Sequence, residues 1–200
     1  AKSYYTSKHK MSDAEFEAFR ERRNAESHAY GPGHRNAIAQ YCRDHGIALA
    51  SHDDATLEHV SEALAQGIDV AEFPTTEAAA RAAHKAGMAV LMGAPNVVRG
   101  ASHTGNVSAQ SLVDGGLLDI LSSDYIPFSL MQAVFRLSAG EEAIELPDAV
   151  RLASKHPAEA TGLIDRGEIA AGRRADLVRV QMSDGLPVVR TVWREGRRVI

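Results

Sequence analysis

Short apolar runs alternate with amphipathic stretches through the middle of the chain. Continuous apolar strands separated by helices are typical of a parallel sheet covered on its faces. The pattern therefore predicts an α/β fold with four β/α units, either in an open doubly wound sheet or in part of a (β/α)₈ barrel. The four apolar runs begin near residues 47, 68, 88 and 117, and the helices that follow them are predicted over 56–66, 77–86, 108–114 and 129–138.

The region before these units is predicted to be helical. Ser12 and Glu15 form a capping-box pattern, in which each side chain bonds the other residue's backbone N–H. The first helix should reach about residue 29 and break at residues 30–33, which contain Gly-Pro-Gly, before a second helix over 34–45. We expect a helical lead-in over 1–46.

The last forty residues differ from the β/α units. Turn glycines and alternating positions predict short strands, and residues 188–200 read as a hairpin turning at Glu195-Gly196-Arg197. We therefore expect a partial, catalytic barrel over 47–162 and a C-terminal β segment over 163–200.

Composition narrows the class of protein. The 200 residues are 44% hydrophobic and 24% charged, with a formal net charge of −4, as in an ordinary globular protein. The acidic balance argues against a nucleic-acid partner, and no apolar run reaches the roughly 18 residues of a membrane span. One cysteine cannot form an internal disulfide. We expect a cytoplasmic protein whose partner is a small molecule, neither nucleic acid nor membrane.

Polar side chains stand where three of the predicted strands end. His52 follows the first strand, Glu72 the second and Asp124 the fourth. Functional groups of parallel β/α folds collect at this edge of the sheet, and an imidazole with two carboxylates suits a divalent metal, zinc first, with manganese or iron as alternatives. A metal would activate a water molecule, and Asp124 would take its proton. Each residue also has a structural alternative. His52 could be a hydrogen-bonded histidine at the rim, Glu72 could cap the next helix, and Asp124 could belong to a turn before Pro127.

The segment after the third strand is predicted to be a long loop over 94–106. Its polar side chains can clamp phosphate oxygens, although it lacks the P-loop pattern; the alternative is a loop whose polar groups bond its own backbone. The candidate substrate-binding residues are Asn96, Arg99, His103 and Asn106.

Several of these motifs resemble the phosphonate-metabolism hydrolases of the amidohydrolase superfamily. The matching segments are Leu49–Thr56, Ala71–Ala78, Met92–Gly100 with Ser102–Asn106, and Asp119–Tyr125. The tail is similar to the C-terminal β segment of many amidohydrolases, through Gly167–Ile169, Gly172, Ala175–Val178 and Glu195–Arg197. The resemblance implies a distorted (β/α)₈ TIM barrel beside a small β-sandwich. It also implies metal-dependent hydrolysis of α-D-ribose 1-methylphosphonate 5-triphosphate to the 5-phosphate and pyrophosphate, a diphosphatase step of the carbon–phosphorus lyase pathway.

The resemblance assigns roles to individual residues. It implies that His52 is the metal-ligand histidine after the fifth barrel strand, and that Asp124 is the metal-binding general base after the eighth. Glu72 stands where many members place a second histidine. Arg99, with His103 and Asn106, falls on the triphosphate side.

One departure from the family pattern concerns the first half of the barrel. The paired His-x-His after the first strand is absent, and four β/α units are too few for a barrel of about 250 residues. The chain resembles the C-terminal half of such an enzyme, completed by a missing N-terminal half or by pairing of two copies, and we expect it to be weakly active or inactive alone. The alternatives are an amidohydrolase acting on carbon–nitrogen bonds and a non-catalytic fragment or subunit that needs a partner chain.

Overall fold

The computed structural model describes residues 2–8, 10–100, 105–139 and 143–200. The chain divides into two compact units, Ala1–His45 and Gly46–Ile200. None of the helices in these described ranges is both long and apolar enough to cross a membrane.

The first unit consists of two helices, α1 (Lys2–Lys8) and α2 (Asp13–Asp44). The predicted capping box is confirmed: the Glu15 N–H group donates to the Ser12 hydroxyl, and the Ser12 N–H group donates to the Glu15 carboxylate at 2.8 Å. The Ser12 N–H group and the Ser12 hydroxyl both donate to the Glu15 carboxylate and hold its pKa below the usual value, because the ionised carboxylate is the better acceptor.

The predicted helix break at residues 30–33 is wrong, because α2 continues through Pro32. Proline removes one helical hydrogen bond and also crowds the Cβ of the residue before it. That residue is Gly31, which has no Cβ, so the part of this clash that involves Cβ does not arise. The neighbouring turns therefore carry the helix across the proline.

The second unit begins with the predicted alternation of strands and helices. All four predicted helices form, and Thr56, Thr76 and Ser108 accept the N-cap bonds of three helices. The elements are β1 (Ala50–His52), α3 (Leu57–Ala65), β2 (Val70–Glu72), α4 (Glu77–Lys85), β3 (Ala89–Gly93), α5 (Ala94–Arg99), α6 (Ala109–Asp114), β4 (Ile120–Ser122) and α7 (Ser129–Leu137).

The strands form one parallel sheet in the order β1-β2-β3-β4. His52 pairs with Glu72, and Gly93 pairs with Ser122. An order that follows the sequence is typical of a barrel segment, whereas a doubly wound sheet reverses direction at a switch point.

Helices cover one face of this sheet. Ala71, Val90, Met92 and Leu121 lie in a continuous core with residues from α3 to α8, and all four are nearly inaccessible to solvent. Because side chains alternate along a strand, His52, Glu72, Gly93 and Ser122 belong to the opposite face. The polar strand ends therefore point away from the helices.

The segment after β3 departs from the predicted loop. Residues 94–99 form helix α5, with Pro95 in its first turn and Gly100 ending it at a φ of 84°. Both residues favour those positions for stereochemical reasons. Residues 101–104 lie outside the described part of the chain.

The C-terminal part follows helices α8 (Leu146–Ala153) and α9 (Lys155–Ala160). It forms a three-stranded antiparallel sheet in the order β5-β6-β7, with β5 (Leu177–Ser183), β6 (Leu186–Arg194) and β7 (Arg197–Arg198). The predicted hairpin is confirmed by the pairing of Trp193 with Arg198.

An ionic cluster attaches the segment between α9 and β5 to α9. Glu168 lies 2.7 Å from Lys155 Nζ and 3.0 Å from Arg173 Nη2, and these cations hold the pKa of Glu168 below its usual value. Gly167 beside it has a φ of 96°, and a Cβ there would lie 2.9 Å from the Lys155 Cα atom. Only glycine fits this close approach without strain.

Candidate functional site at the carboxyl ends of the strands

The backbone turns sharply at the carboxyl ends of three strands. Asp53 follows β1 with a φ of 61°, Phe73 follows β2 with 52°, and Asp124 comes two residues after β4 with 51°. Positive φ is uncommon for residues other than glycine and rarest for bulky side chains. Such conformations concentrate at functional sites, where the surrounding fold holds them in place.

His52 and Glu72 are neighbours across the first strand pair, with their side chains on the same sheet face. The His52 ring is exposed, and its Nδ1 atom lies 3.2 Å from the Asp53 Oδ2 atom. Its edge meets the Phe73 ring, with 5.3 Å between centroids and an interplanar angle of 83°. Glu72 is half-buried.

Asp124 extends over the end of β3 because that strand ends in glycine. A Cβ atom at Gly93 would lie 3.1 Å from Asp124 Oδ2 and 3.4 Å from Asp124 Cβ. The Phe73 Cε1 atom approaches the same point at 3.6 Å. The absent side chain of Gly93 therefore makes room for the Asp124 carboxylate and the Phe73 ring together.

The candidate metal ligands share one rim, but not one coordination sphere. Within the ranges that the structure describes, no group of three His, Cys, Asp or Glu residues is arranged to hold a metal ion. The Asp124 carboxylate lies over the end of β3, and β2 separates β3 from β1 in the sheet. The donor chemistry of His52, Glu72 and Asp124 suits a divalent cation.

The candidate phosphate-binding residues separate into different settings. Arg99, at the end of α5, donates to the Tyr125 hydroxyl at 3.2 Å, so its guanidinium lies next to the residue that follows Asp124. Asn96 uses its carbonyl to accept the Ala109 N–H group at 3.0 Å, which ties α5 to the start of α6. Asn106 is exposed, and His103 lies outside the described residues.

The structure adds two residues to this rim that sequence reasoning missed. Phe73 contacts His52 and the space above Gly93, and Tyr125 accepts the Arg99 hydrogen bond. The adjacency of Tyr125 to Asp124 in the sequence was an available signal for the tyrosine. No residue pattern signals the left-handed conformation of a phenylalanine.

A second group of histidines lies at the opposite end of the sheet. Asp119 Oδ2 accepts the Val90 N–H group at 2.8 Å and lies 3.2 Å from the His84 Nδ1 atom. The His156 Nδ1 atom lies 2.8 Å from the Asp119 carbonyl oxygen. Both partners are acceptors, so each Nδ1 carries the hydrogen. These contacts join α4, β3, β4 and α9 beside an open cavity of about 390 Å³.

Comparison with known sequences identifies one family and two curated relatives of this chain. Residues 10–200 match the sequence model of a family described as "Amidohydrolase family". The chain is 49% identical over 199 residues to the α-D-ribose 1-methylphosphonate 5-triphosphate diphosphatase of Escherichia coli K12, covering 99% of this chain and 53% of that protein. It is 27% identical over 189 residues to the imidazolonepropionase of Deinococcus deserti, covering 87% of this chain and 47% of that protein. The chain thus spans about half the length of these curated relatives.

Solved structures agree on the fold. An uncharacterized protein superposes with a TM-score of 0.60 at 20% identity, over 82% of this chain and 48% of that one. The ochratoxinase of A. niger superposes with a TM-score of 0.59 at 14% identity, over 84% of this chain and 45% of that one. Sheet order, strand-end chemistry and sequence similarity lead to one conclusion: the chain belongs to the amidohydrolase family, as its motifs indicated.

Proposed function

We propose that the full-length enzyme containing this chain hydrolyses α-D-ribose 1-methylphosphonate 5-triphosphate to the 5-phosphate and pyrophosphate. The observation that carries the proposal is the 49% identity, over 99% of this chain, to the E. coli diphosphatase of that name. In this proposal β1 to β4 form half of a (β/α)₈ barrel, and β5 to β7 form part of a β-sandwich beside it. The remainder of the full-length protein, or a second copy, closes the barrel.

Asp124 is the proposed general base. Its carboxylate is exposed and lies in the open space above Gly93, where a water molecule can reach it. The carboxylate accepts a proton from water as the water oxygen bonds to phosphorus. The anhydride bond between the α- and β-phosphates breaks, and pyrophosphate leaves with the electron pair. A positioned base of this kind contributes about 10²- to 10⁴-fold to the rate.

His52 and Asp124 are the proposed metal-binding residues, with Glu72 as a third candidate. Amidohydrolases are generally metal-dependent, and zinc, manganese or iron suits one nitrogen and two carboxylate donors. When bound, such a cation polarises phosphoryl oxygens and lowers the pKa of its water ligand. In this proposal the other ligands come from the part of the full-length enzyme that lies outside this chain.

Arg99 is the proposed contact for the triphosphate. Its guanidinium is exposed and held beside Tyr125, next in sequence to the general base. Arginine binds phosphate oxygens in a bidentate geometry that lysine cannot reproduce. Asn106 and His103 belong to the same segment and are proposed to extend this contact, and Asn96 contributes its amide N–H₂ group.

The test is reconstitution of the enzyme. The chain is coexpressed with the N-terminal half of the E. coli diphosphatase, and pyrophosphate release from the triphosphate substrate is measured with added Zn²⁺, Mn²⁺ or Fe²⁺. We expect turnover that needs both halves and a metal, and that is lost in Asp124→Asn. A folded, metal-loaded complex that releases no pyrophosphate would contradict the proposal.

Hydrolysis of carbon–nitrogen bonds is the second candidate, favoured by the imidazolonepropionase relative at 27% identity. The same complex is offered imidazolonepropionate, and ring opening is followed by the loss of its ultraviolet absorption. Turnover of this substrate without pyrophosphate release would replace the first proposal by the second. Absence of both activities would favour a non-catalytic subunit.

A further inference from the structure

Phe73 adopts a backbone conformation that its side chain disfavours. Its φ of 52° lies in the left-handed region, where a bulky residue is a genuine outlier. Asp53 and Asp124 share this conformation, but aspartate adopts it more readily than phenylalanine because its side chain is short and polar. Of the three residues, Phe73 therefore carries the largest backbone strain. The surrounding fold must offset that strain energy.

The left-handed turn changes where the ring lies. Two residues earlier, Ala71 points into the helix-covered core, and an extended residue 73 would follow it there. Instead the Phe73 ring meets the edge of the His52 ring and comes within 3.6 Å of the Cβ position of Gly93. The strained backbone delivers an aromatic ring to the functional face.

The ring also takes little part in the packing of the core. Phe73 is half-buried, and it belongs neither to the continuous core of the second unit nor to the apolar residues packed against that core. Phe135, by contrast, is partly buried and packs directly on it. Its ring does contact His52 and the space above Gly93, which belong to the candidate site.

We propose that Phe73 is a positioning residue of the site. Its ring orients the His52 imidazole by edge-to-face contact and forms the wall of the space that receives the Asp124 carboxylate. The ring lies between the residues that the proposed function uses as ligand and base, so this inference rests on that function for its catalytic consequence. The other part of the inference, that Phe73 orients the His52 ring, can be tested without any enzyme activity.

The first experiment measures the His52 ring directly in the 200-residue chain. Histidine ring proton shifts are recorded for the parent, Phe73→Leu and Phe73→Gly, with His52→Gln to assign the signals. An aromatic neighbour displaces these shifts, so both Phe73 variants should move the His52 signals and leave those of His59 in place. Unmoved His52 signals would overturn the inference.

A thermal melt separates positioning from packing. Glycine relieves the left-handed strain, so Phe73→Gly should melt at the parent temperature or above it, despite losing the ring. Phe135→Leu is the control: it should lower the melting temperature and leave the His52 signals unmoved. Equal losses of stability in Phe73→Leu and Phe135→Leu would make Phe73 an ordinary packing residue.

Turnover in the reconstituted enzyme gives the catalytic consequence. Phe73→Leu should lower kcat at least tenfold with a small change in KM, because it disturbs the reacting geometry rather than the triphosphate contact. If the parent complex hydrolyses no substrate, the proposed function fails while the His52 signals still decide the positioning role. Parent-like kcat in Phe73→Leu would contradict the inference.

Discussion

At the amino ends of the parallel strands, Asp119 accepts the Val90 N–H group and faces His84, while His156 bonds its carbonyl oxygen. At the carboxyl ends, the structure gives the Asp124 carboxylate no hydrogen bond from the described residues and leaves it exposed above Gly93. Aspartate and histidine occur at both ends of one sheet. The two groups differ in how many hydrogen bonds their polar atoms already make within the described part of the fold.

This difference separates structural from chemical use of the same side chains. A carboxylate whose oxygen is bonded by backbone and imidazole donors stabilises the folded chain and has little capacity left for a ligand. An exposed carboxylate at the end of a left-handed turn contributes little to stability and stays available. Substitutions at the carboxyl ends should therefore change turnover, and substitutions at the amino ends should change stability.

The sharpest test of the functional end is Asp124→Asn. In the reconstituted enzyme it should lower pyrophosphate release by about 10²- to 10⁴-fold, because the amide cannot accept the proton. The melting temperature should stay at the parent value. Asp114→Asn, at the exposed end of α6, is the matched control and should keep full turnover. Parent-like turnover in Asp124→Asn would remove this residue from the mechanism.

Gly93→Ala tests the space that the carboxylate occupies. The new Cβ would stand 3.1 Å from Asp124 Oδ2 and push it aside, while the backbone at Gly93, with a φ of −75°, accepts alanine without strain. A contact of this length requires a shift of a few tenths of an ångström, and since a displacement of about 1 Å costs roughly 10²-fold, turnover should fall several-fold. Urea unfolding should detect little change. Parent-like turnover in Gly93→Ala would show that the position of Asp124 is not critical.

Asp119→Ala tests the structural end. It leaves the Val90 N–H group without its carboxylate acceptor and should lower the free energy of unfolding by about 1–3 kcal/mol in urea titrations. Turnover of the folded enzyme should be nearly unchanged, since this residue lies at the opposite end of the sheet. Asp114→Ala serves as the exposed control. A large loss of kcat with parent stability would reverse the comparison between the two ends.

The smallest expected effect belongs to Glu168, away from both ends. Lys155 and Arg173 lower its pKa in the folded chain, so its contribution to stability is complete above the ordinary glutamate pKa of about 4.3. That contribution is lost as the pH falls through the lowered value. Glu168→Gln should flatten this acid-side dependence of the melting temperature and leave neutral-pH turnover alone. An unchanged acid profile would show that the ionic cluster contributes nothing.

Local signals in the sequence predicted most elements. The capping box of Ser12 and Glu15 and the caps at Thr56, Thr76 and Ser108 form between residues three apart, so their patterns are legible without the fold. The prediction failed at Pro32 and over residues 94–99, where breaking residues sit inside or at the start of helices. Proline and glycine show where a helix is costly, but the surrounding turns decide whether it forms.

The sequence alone determined the order of the four β/α units, the polar residues at the strand ends and the family to which the chain belongs. Those features depend on composition and short-range spacing, which the sequence states directly. Only the tertiary structure decided that the Phe73 ring stands against His52, that Asp124 lies over Gly93, and that His84 and His156 converge on Asp119. These contacts depend on strand register and on individual φ angles, because residues up to 37 positions apart meet only when the sheet aligns them.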